Sequence, residues 1–395
     1  MQVDLRLVKG FTVHLVKRDY WINKLESAWK KRSVIWLAGV RRVGKTCLCQ
    51  SLPKVEYFDC ELPRVRHHLE DPEAFLSDMK DKCIILDEIH RLNNPTELLK
   101  IASDHYPSTK IIATGSSSLD ASKKFRDTLA GRKYTVHLTP MLYNERTLFD
   151  GWDMQHRLLF GGLPPYFIQE ELPEADFQEW LSAFWARDIQ ELFKLERRHS
   201  FIKFTELLLA QSGSIFEATR FTSSCEVSRT TISNYLSVLE ATYVAYVIRP
   251  FSTHIPTEII SAPKVYGFDT GFVCHCRGWI NLRKEDLGQL WEHIVLNELK
   301  GRLQDLKIGY WRNKQQHEID FVVQKRGHSN PIAIECKWKS AKFDPQNLLA
   351  FRKHYPKGKS YVVSMDIDSD FQRDYQENTV SFVSLDSLIH ALSNA

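Results

Sequence analysis

The chain lacks long apolar runs and a disulfide framework. No stretch of its 395 residues approaches the roughly 18 consecutive apolar residues that cross a bilayer. The opening residues MQVDLRLVKGF lack the basic-then-apolar pattern of a secretory signal. Eight cysteines are scattered without the regular spacing of disulfide-rich secreted domains. We therefore expect a soluble, cytoplasmic protein with no membrane partner.

A zinc site is also unsupported. Cys274, His275 and Cys276 are adjacent, but the sequence has no second matching pair of ligands. Tetrahedral structural zinc needs four ligands, so the cluster alone does not predict a metal site.

Charge is distributed unevenly along the chain. The net charge is only +4, which indicates no particular partner. Residues 300–360, however, contain 14 Lys and Arg against five Asp and Glu. A basic C-terminal third is expected where a polyanion such as DNA docks, although a solvated basic surface would give the same count.

A phosphate-binding loop follows the first apolar strand. In VIWLAGVRRVGKT, residues 34–46, the loop matches G-x-x-x-x-G-K-T in full. Backbone N–H groups of such a loop point at the phosphates, Lys45 reaches the β- and γ-phosphates, and the Thr46 hydroxyl binds magnesium. The predicted nucleotide-binding residues are Gly39, Val40, Arg41, Arg42, Val43, Gly44, Lys45 and Thr46.

Two acids end a second apolar strand, CIILDE, at residues 83–88. Asp87 is predicted to hold magnesium through water, and Glu88 to orient and deprotonate the attacking water. A helix-cap role for the two acids is the alternative, but it does not explain the apolar strand and the loop together. The two motifs predict ATP and Mg²⁺ as cofactors.

A third strand, KIIATGSSS (110–118), is expected to lie between the first two. It would place Thr114 or Ser116 near the γ-phosphate, and the sequence does not decide which. Helical stretches at 95–105 and 119–130 alternate with the strands, and an apolar strand at 134–138 would close the sheet. This alternation predicts a parallel P-loop NTPase sheet with helices on both faces.

At this point the chain resembles a known family. The motifs GVRRVGKT, CIILDEIHRL, IIATGSSS and LAGRKYTVHLTP, with FGGLPPY, ARDIQEL and APKVYGFDTGF further along, look like prokaryotic AAA-type P-loop ATPases with an uncharacterised C-terminal region. The resemblance implies a multidomain α/β protein with an ATPase domain at 1–150, a helical and winged-helix-like segment at 151–250, and a restriction-endonuclease-like domain at 251–395.

An arginine that completes the ATP site is also implied by the resemblance. Arg132, in LAGRK, is the candidate, because a guanidinium would neutralise charge that develops on the γ-phosphate. An ordinary surface or helix-terminus role is the alternative. An arginine that acts on a neighbouring chain would require a homo-oligomer.

The middle segment contains a helix, a tight turn and a second helix, within residues 222–250. Ser228 is a good N-cap for the second helix. The pattern resembles a winged helix-turn-helix, which leaves open both DNA contact and a purely packing or partner-binding role. Its buried side is predicted to hold Val227, Ile232, Leu236 and Leu239, and its outward side Arg229, Thr230, Ser233 and Asn234.

Two alternating strands in the basic third carry acids and a lysine. HEIDFVV (317–323) places Asp320 on its polar side, and PIAIECKWK (331–339) places Glu335 and Lys337 on its own. The carboxylates could hold Mg²⁺, or Mn²⁺ as a second candidate, and the lysine could position a water. A solvated strand face would show the same alternation.

The order of helix, Asp and Glu-x-Lys resembles the core of restriction-endonuclease-type enzymes. The preceding helix, 287–303, offers Glu292 or Glu298 at the border of its buried face, and the resemblance favours Glu292 as a metal ligand. No proline precedes Asp320, which is a departure from the family pattern. A degenerate site that binds without cutting is the alternative.

Three functional hypotheses follow. In the first, an ATPase controls metal-dependent DNA cleavage, with Glu88, Arg132, Asp320, Glu335 and Lys337 as the catalytic residues. The second is an ATP-dependent DNA-binding regulator that does not cut. In the third, the ATPase remodels a protein partner that docks on the basic third. The predicted metal ligands are Thr46, Asp87, Glu292, Asp320 and Glu335.

Overall fold

A computed structural model describes residues 4–8, 11–115, 123–149, 152–190, 195, 197–252, 262–324 and 330–394. The chain forms two compact units. The first contains residues 1–152, 163–198 and 241–243, and the second contains 153–162, 199–240 and 244–395. None of the described helices is long and apolar enough to cross a membrane.

The described part of the chain contains both strands and helices. The strands are β1 Asp4–Val8, β2 Phe11–Leu15, β3 Val34–Ala38, β4 Glu56–Asp59, β5 Cys83–Asp87, β6 Lys110–Thr114, β7 Lys133–His137, β8 Ser214–Ile215, β9 Ala245–Pro250, β10 Lys264–Gly267, β11 Ile308–Arg312, β12 Glu318–Val323, β13 Ile332–Lys337, β14 Ser360–Ser364, β15 Phe371–Tyr375 and β16 Asn378–Val383.

The helices are α1 Asp19–Trp29, α2 Lys45–Gln50, α3 Pro63–His68, α4 Pro72–Asp78, α5 Pro95–His105, α6 Lys123–Thr128, α7 Met154–Phe160, α8 Pro164–Phe167, α9 Glu174–Phe184, α10 Arg198–Ala210, α11 Thr219–Cys225, α12 Arg229–Ala241, α13 Thr270–Cys276, α14 Asp286–Arg302, α15 Gln346–His354 and α16 Leu385–Asn394. A π-helical turn, Trp185–Ile189, follows α9 directly.

The first unit contains a parallel five-stranded sheet in the order β4-β5-β6-β3-β7. Strand β6 lies between β5 and β3, and β7 flanks β3, as the sequence predicts. Every residue of β3 is buried, as expected when helices cover both faces of a parallel sheet. The carboxyl ends of β3, β5 and β6 therefore meet at one edge, where the motif residues follow.

The predicted helix at 95–105 is confirmed as α5, which begins with a proline at its first turn. The predicted helix at 119–130 is represented by α6. Residues 116–122, which include the candidate Ser116, lie outside the described residues.

In the second unit, α10, β8, α11, α12, β9 and β10 follow one another, and the three strands pair antiparallel in the order β8-β10-β9. The Ser228 hydroxyl accepts a hydrogen bond from the Thr231 N–H, which confirms it as the cap of α12. The four residues predicted to be buried are buried, and Arg229, Thr230, Ser233 and Asn234 are exposed. The order of helix, helix and strand agrees with the sequence, and a winged-helix-like fold for this segment stays a prediction.

Those three strands continue into a nine-stranded mixed sheet, in the order β15-β16-β14-β13-β12-β11-β9-β10-β8. Strand β9 pairs parallel with β11, so the sheet is continuous across residue 250. The structure divides the chain differently from the three successive ranges predicted for its domains, and those boundaries stay a prediction.

Helix α14 packs on this sheet and is buried on most sides. Leu290, Trp291 and Leu299 are fully buried. Glu298 was expected at the border of the buried face, but it is 1% exposed and forms an ion pair with Arg302 at 2.7 Å. This pairing satisfies the Glu298 carboxylate within its own helix.

In the second unit, the two glycines of the motif FGGLPPY pack against Asp269 of the motif FDTGF. Asp269 Oδ2 accepts a hydrogen bond from Gly162 N at 2.6 Å, and its Oδ1 accepts one from Gly271 N at 3.0 Å. Burial raises the pKa of Asp269 above its ordinary value, and the Arg157 charge and the backbone donors offset only part of this increase. A Cβ on Gly161, which has a φ of +84°, would lie 2.0 Å from Asp269 Oδ1.

The replacement Gly161→Ala should therefore destabilise the second unit severely. We expect a loss on the order of 3 kcal/mol, because the new methyl group collides with a buried carboxylate in a backbone region that favours glycine. Gly278→Ala is the matched control, since Gly278 also has a positive φ but nothing lies within 4 Å of its Cβ position. That variant should lose about 1 kcal/mol. Equal losses in denaturant unfolding would contradict this packing.

Candidate functional site

The phosphate-binding loop has the backbone that its sequence predicts. Gly39 has a φ of +151°, and a Cβ there would lie 2.5 Å from the Leu138 carbonyl oxygen, so no other residue fits without a shift. Lys45 begins α2, and its Nζ donates hydrogen bonds to the carbonyl oxygens of Gly39 at 2.8 Å and Val40 at 3.1 Å. The ammonium group therefore lies against the loop that would hold the phosphates.

Asp87 joins four elements at the carboxyl edge of the sheet. The Thr46 hydroxyl donates to Asp87 Oδ2 at 2.9 Å, and the Tyr57 hydroxyl donates to the same oxygen at 2.5 Å. The Thr114 hydroxyl donates to Asp87 Oδ1. Of the two sensor candidates, Thr114 thus lies beside Asp87. Tyr57 was not foreseen, and burial and the Asp87 charge raise its pKa.

Glu88 is held in the left-handed backbone region, with a φ of 54°. Its N–H donates to the Thr114 hydroxyl at 3.2 Å, and its Oε2 lies 3.2 Å from His90 Nδ1. Burial alone would raise the pKa of Glu88, but the His90 hydrogen bond and the Lys45 charge hold it at about 2. The carboxylate is therefore ionised at neutral pH.

The donor set at this edge fits a magnesium ion. Magnesium prefers hard oxygen ligands and is commonly held by one or two protein groups together with phosphates and water. The hydroxyl of Thr46 and the carboxylate of Asp87 are in direct contact, so one ion could bind both groups.

Arg132 lies at the opposite edge of the sheet from the loop. Strand β7 is parallel to β3, with Lys133 opposite Val34, so Arg132 precedes the amino end of β7. About 15 Å of strand separates it from the loop. Its Nε forms an ion pair with Asp104 at 2.8 Å. The Arg132 side chain therefore does not reach the loop of its own chain, and a role for Arg132 in completing an ATP site stays a prediction.

Instead, residues 164–190, which contain α8, α9 and the π-helical turn, contact the two arginines of the loop. Asp188, in the π-helical turn, pairs with Arg41 Nε at 3.3 Å. Glu179 and Tyr166 contact the Arg42 guanidinium at 2.8 and 3.1 Å. The motif ARDIQEL contains Asp188 and was the available signal, but no sequence pattern connected it with the loop.

A second polar cluster lies between α14, β10, β12 and β13. Lys337 Nζ lies 2.6 Å from Glu335 Oε2 and 3.7 Å from Asp320 Oδ2. Asp320 Oδ2 also accepts a hydrogen bond from Cys336 N at 2.7 Å. Glu335 is only 1% exposed, so the alternative of a solvated strand face is wrong for this residue.

Burial disfavours the ionised form of two carboxylates in this cluster, Glu335 and Glu292. Burial, with the nearby Asp320 charge, raises the pKa of Glu335 to about 8 and that of Glu292 to about 7. Among the described residues, Glu335 Oε1 has no hydrogen-bond partner. A buried carboxylate oxygen without a donor is a position where a cation or a proton is favoured.

Strand β10 supplies two residues that the sequence reading missed. Lys264 Nζ lies 2.8 Å from Glu318 Oε1 and 3.8 Å from Glu292 Oε2, and the Tyr266 hydroxyl donates to Glu292 Oε2 at 3.0 Å. A lysine inside the apolar run PKVYGF was the signal that could have found this contact.

The residues of this cluster fit a bound metal ion only in part. Within the part of the chain that the structure describes, no group of three or more His, Cys, Asp and Glu side chains could hold a metal ion. The Lys337 ammonium contacts both Asp320 and Glu335 where a bound ion would share their charge. The unpaired Glu335 oxygen fits a cation, but a metal site at Glu292, Asp320 and Glu335 stays a prediction.

The raised pKa of Glu335 predicts a pH effect on stability. Its folded pKa of about 8 exceeds the ordinary value of 4.5, so the folded state binds the proton more tightly. The contribution to the free energy of unfolding is complete below about pH 4.5 and is lost as the pH rises to about 8. Glu335→Gln keeps the neutral form and should lose less stability between pH 5 and pH 8.

We expect the two unfolding curves to diverge by on the order of 2 kcal/mol across this range. Denaturant unfolding at both pH values measures the divergence. Glu377→Gln, in an exposed turn, is the control and should follow the wild type. Parallel behaviour of Glu335→Gln and the wild type would contradict the raised pKa.

Three family models match successive parts of the chain. Residues 31–147 match the family model described as an AAA domain. Residues 151–283 and 287–386 match models described as Domain of unknown function (DUF8612) and Domain of unknown function (DUF4143). The first match shows an ATPase-like AAA domain with a P-loop. The other two carry no described function, so the restriction-endonuclease-like fold stays a prediction.

Two relatives and one solved structure illustrate the similarity. The chain is 28% identical to an uncharacterized protein of Mycobacterium tuberculosis, over 82% of this chain and 74% of that one. It is 25% identical to an uncharacterized protein of Methanocaldococcus jannaschii, over 78% and 75%. A Walker-type ATPase of Pyrococcus abyssi is 16% identical, covers 69% of this chain and 99% of its own, and has a TM-score of 0.42.

Proposed function

We propose that this chain, whose residues 31–147 match a family model described as an AAA domain, binds ATP with Mg²⁺ and hydrolyses it. The observation that carries the proposal is the convergence on one sheet edge of Lys45, Thr46, Asp87 and Glu88, with Thr114 contacting both acidic residues. Three strands deliver these side chains, so the arrangement depends on the fold and not on a single loop.

Each residue has a distinct chemical task. Magnesium, when bound, would neutralise phosphate charge, and Thr46 and Asp87 would hold it. Lys45 leaves the loop carbonyls to contact the β- and γ-phosphates. Glu88, whose pKa is held low, stays ionised and orients the attacking water more than it removes a proton from it.

Replacement of two residues should separate binding from hydrolysis. Glu88→Gln should keep ATP binding but lose about 100-fold or more in the hydrolysis rate. Lys45→Ala should lose both, since its ammonium contacts the phosphates in the ground state as well. Release of labelled phosphate and equilibrium binding of ATP measure the two effects. Lys100→Ala, on the exposed side of α5, is the control and should behave as the wild type.

Phosphodiester cleavage by the second unit is the second candidate function. It is favoured by the pairing of Lys337 with Asp320 and Glu335 and by the unpaired, buried Glu335 Oε1. Asp320 and Glu335 would hold the metal, with Glu292 at its border, and Lys337 would orient a water at the phosphate. Nucleic acid would be attracted by the excess of positive charge in residues 300–360.

A binding-only role competes with cleavage, and charge limits where DNA could dock. Residues 199–250, which hold the winged-helix-like segment, contain four Lys and Arg and four Asp and Glu. The charges of this segment therefore balance, and Arg229 is one of the few cations on its polar outward face. The proposed DNA contact therefore rests on the basic third and not on this segment.

Neighbouring lysines offer a sharp test of cleavage. Lys337→Ala should abolish cutting of labelled plasmid, duplex or single-stranded DNA in Mg²⁺ or Mn²⁺, with and without ATP. Lys339→Ala, two residues further along and exposed, removes the same charge from outside the cluster and should cut normally.

Absence of cutting by the wild type, with salt-dependent DNA binding retained, would favour the non-cutting regulator. Absence of both would favour docking of a protein partner on the basic third.

A further inference from the structure

The loop arginines are occupied by the chain's own carboxylates. Arg41 Nε lies 3.3 Å from Asp188 Oδ2, and the Asp188 side chain is only 10% exposed. Trp180 Nε1 donates a hydrogen bond to the Arg41 carbonyl oxygen at 3.0 Å. Asp188 and Trp180 both belong to the continuous helix formed by α9 and the π-helical turn Trp185–Ile189. The tip of the phosphate-binding loop is thus fastened to one helical element.

Asp188 is an unfavourable neighbour for a bound triphosphate. Its Oδ2 lies 3.3 Å from Arg41 Nε, and its negative charge also favours the ionised form of Lys45, which would contact the phosphates. A carboxylate this near, and mostly buried, is poorly screened from negative charge brought into the loop. The wide π-helical turn brings it there, and π-turns within α-helices are frequent at functional positions.

Glu179 provides an internal comparison on the same helix. It pairs with Arg42 at 2.8 Å, but its side chain is 62% exposed. Solvent screens such a pair, so its charge should matter little to a bound nucleotide. Asp188 opposes bound phosphates because it is buried beside the loop. An exposed acid on the same helix, such as Glu179, does not.

We propose that the Arg41–Asp188 pair is a nucleotide-sensitive latch, in which the phosphates of ATP displace Asp188 from Arg41 and release the helix Glu174–Gln190 from the loop. Arg41 exchanges one anion for another and remains paired, whereas Asp188 is left beside like charge and moves away. This inference rests on the proposed binding of ATP, and it gives residues 174–190 the role of transmitting the state of the nucleotide.

The latch makes two predictions for the full-length protein. Asp188→Asn should bind ATP about three- to tenfold more tightly than the wild type, because the opposing charge is gone while the side-chain shape is kept. Glu179→Gln, the matched control, should change the dissociation constant less than twofold. In the wild type, ATP should accelerate hydrogen exchange of the backbone amides in residues 174–190.

Calorimetric titration with ATP and exchange mass spectrometry measure these effects without relying on hydrolysis. Unchanged or weaker ATP binding by folded Asp188→Asn, while the wild type binds, would overturn the latch alone. So would exchange in 174–190 that ATP leaves unchanged, a result that needs no variant and holds even if Asp188→Asn fails to fold. A folded wild type that binds no ATP would overturn the proposed function and the latch together.

Discussion

The first unit depends on how the buried carboxylate of Asp87 is satisfied. It is 4% exposed and accepts hydrogen bonds from three hydroxyls, which come from α2, β4 and β6. A buried carboxylate is costly unless donors or a cation surround it. Its satisfaction therefore fixes the register of three strand ends and the phosphate-binding helix, and the same carboxylate would hold magnesium in the proposed function.

The two candidate sites differ in the groups that satisfy their buried carboxylates. At Asp87 every donor is a neutral hydroxyl, so a cation adds to the arrangement without displacing an ion pair. In the second cluster, Lys337 and Lys264 already pair with Asp320, Glu335, Glu318 and Glu292. A metal there must compete with ammonium groups. The Asp87 site therefore accepts a cation without breaking an existing ion pair, whereas the second cluster does not.

The sequence predicted features that depend on neighbours along the chain. Strand order, the parallel sheet, the P-loop and the cap at Ser228 all follow from local patterns of apolar, glycine and hydroxyl residues. The burial of Glu335 and the location of Arg132 did not, because alternation and motif matching do not tell which face of a strand other elements cover. Asp188 lies 147 residues from Arg41, and such pairs are set by tertiary packing alone.

The central claim is that this chain holds one MgATP at the edge of its parallel sheet. Equilibrium titration of the intact protein with ATP, in Mg²⁺ and again in a chelator, tests it most directly. The account predicts saturation at one ATP per chain, with tighter binding when Mg²⁺ is present. A folded protein that shows no saturable binding up to millimolar ATP in Mg²⁺ would contradict it.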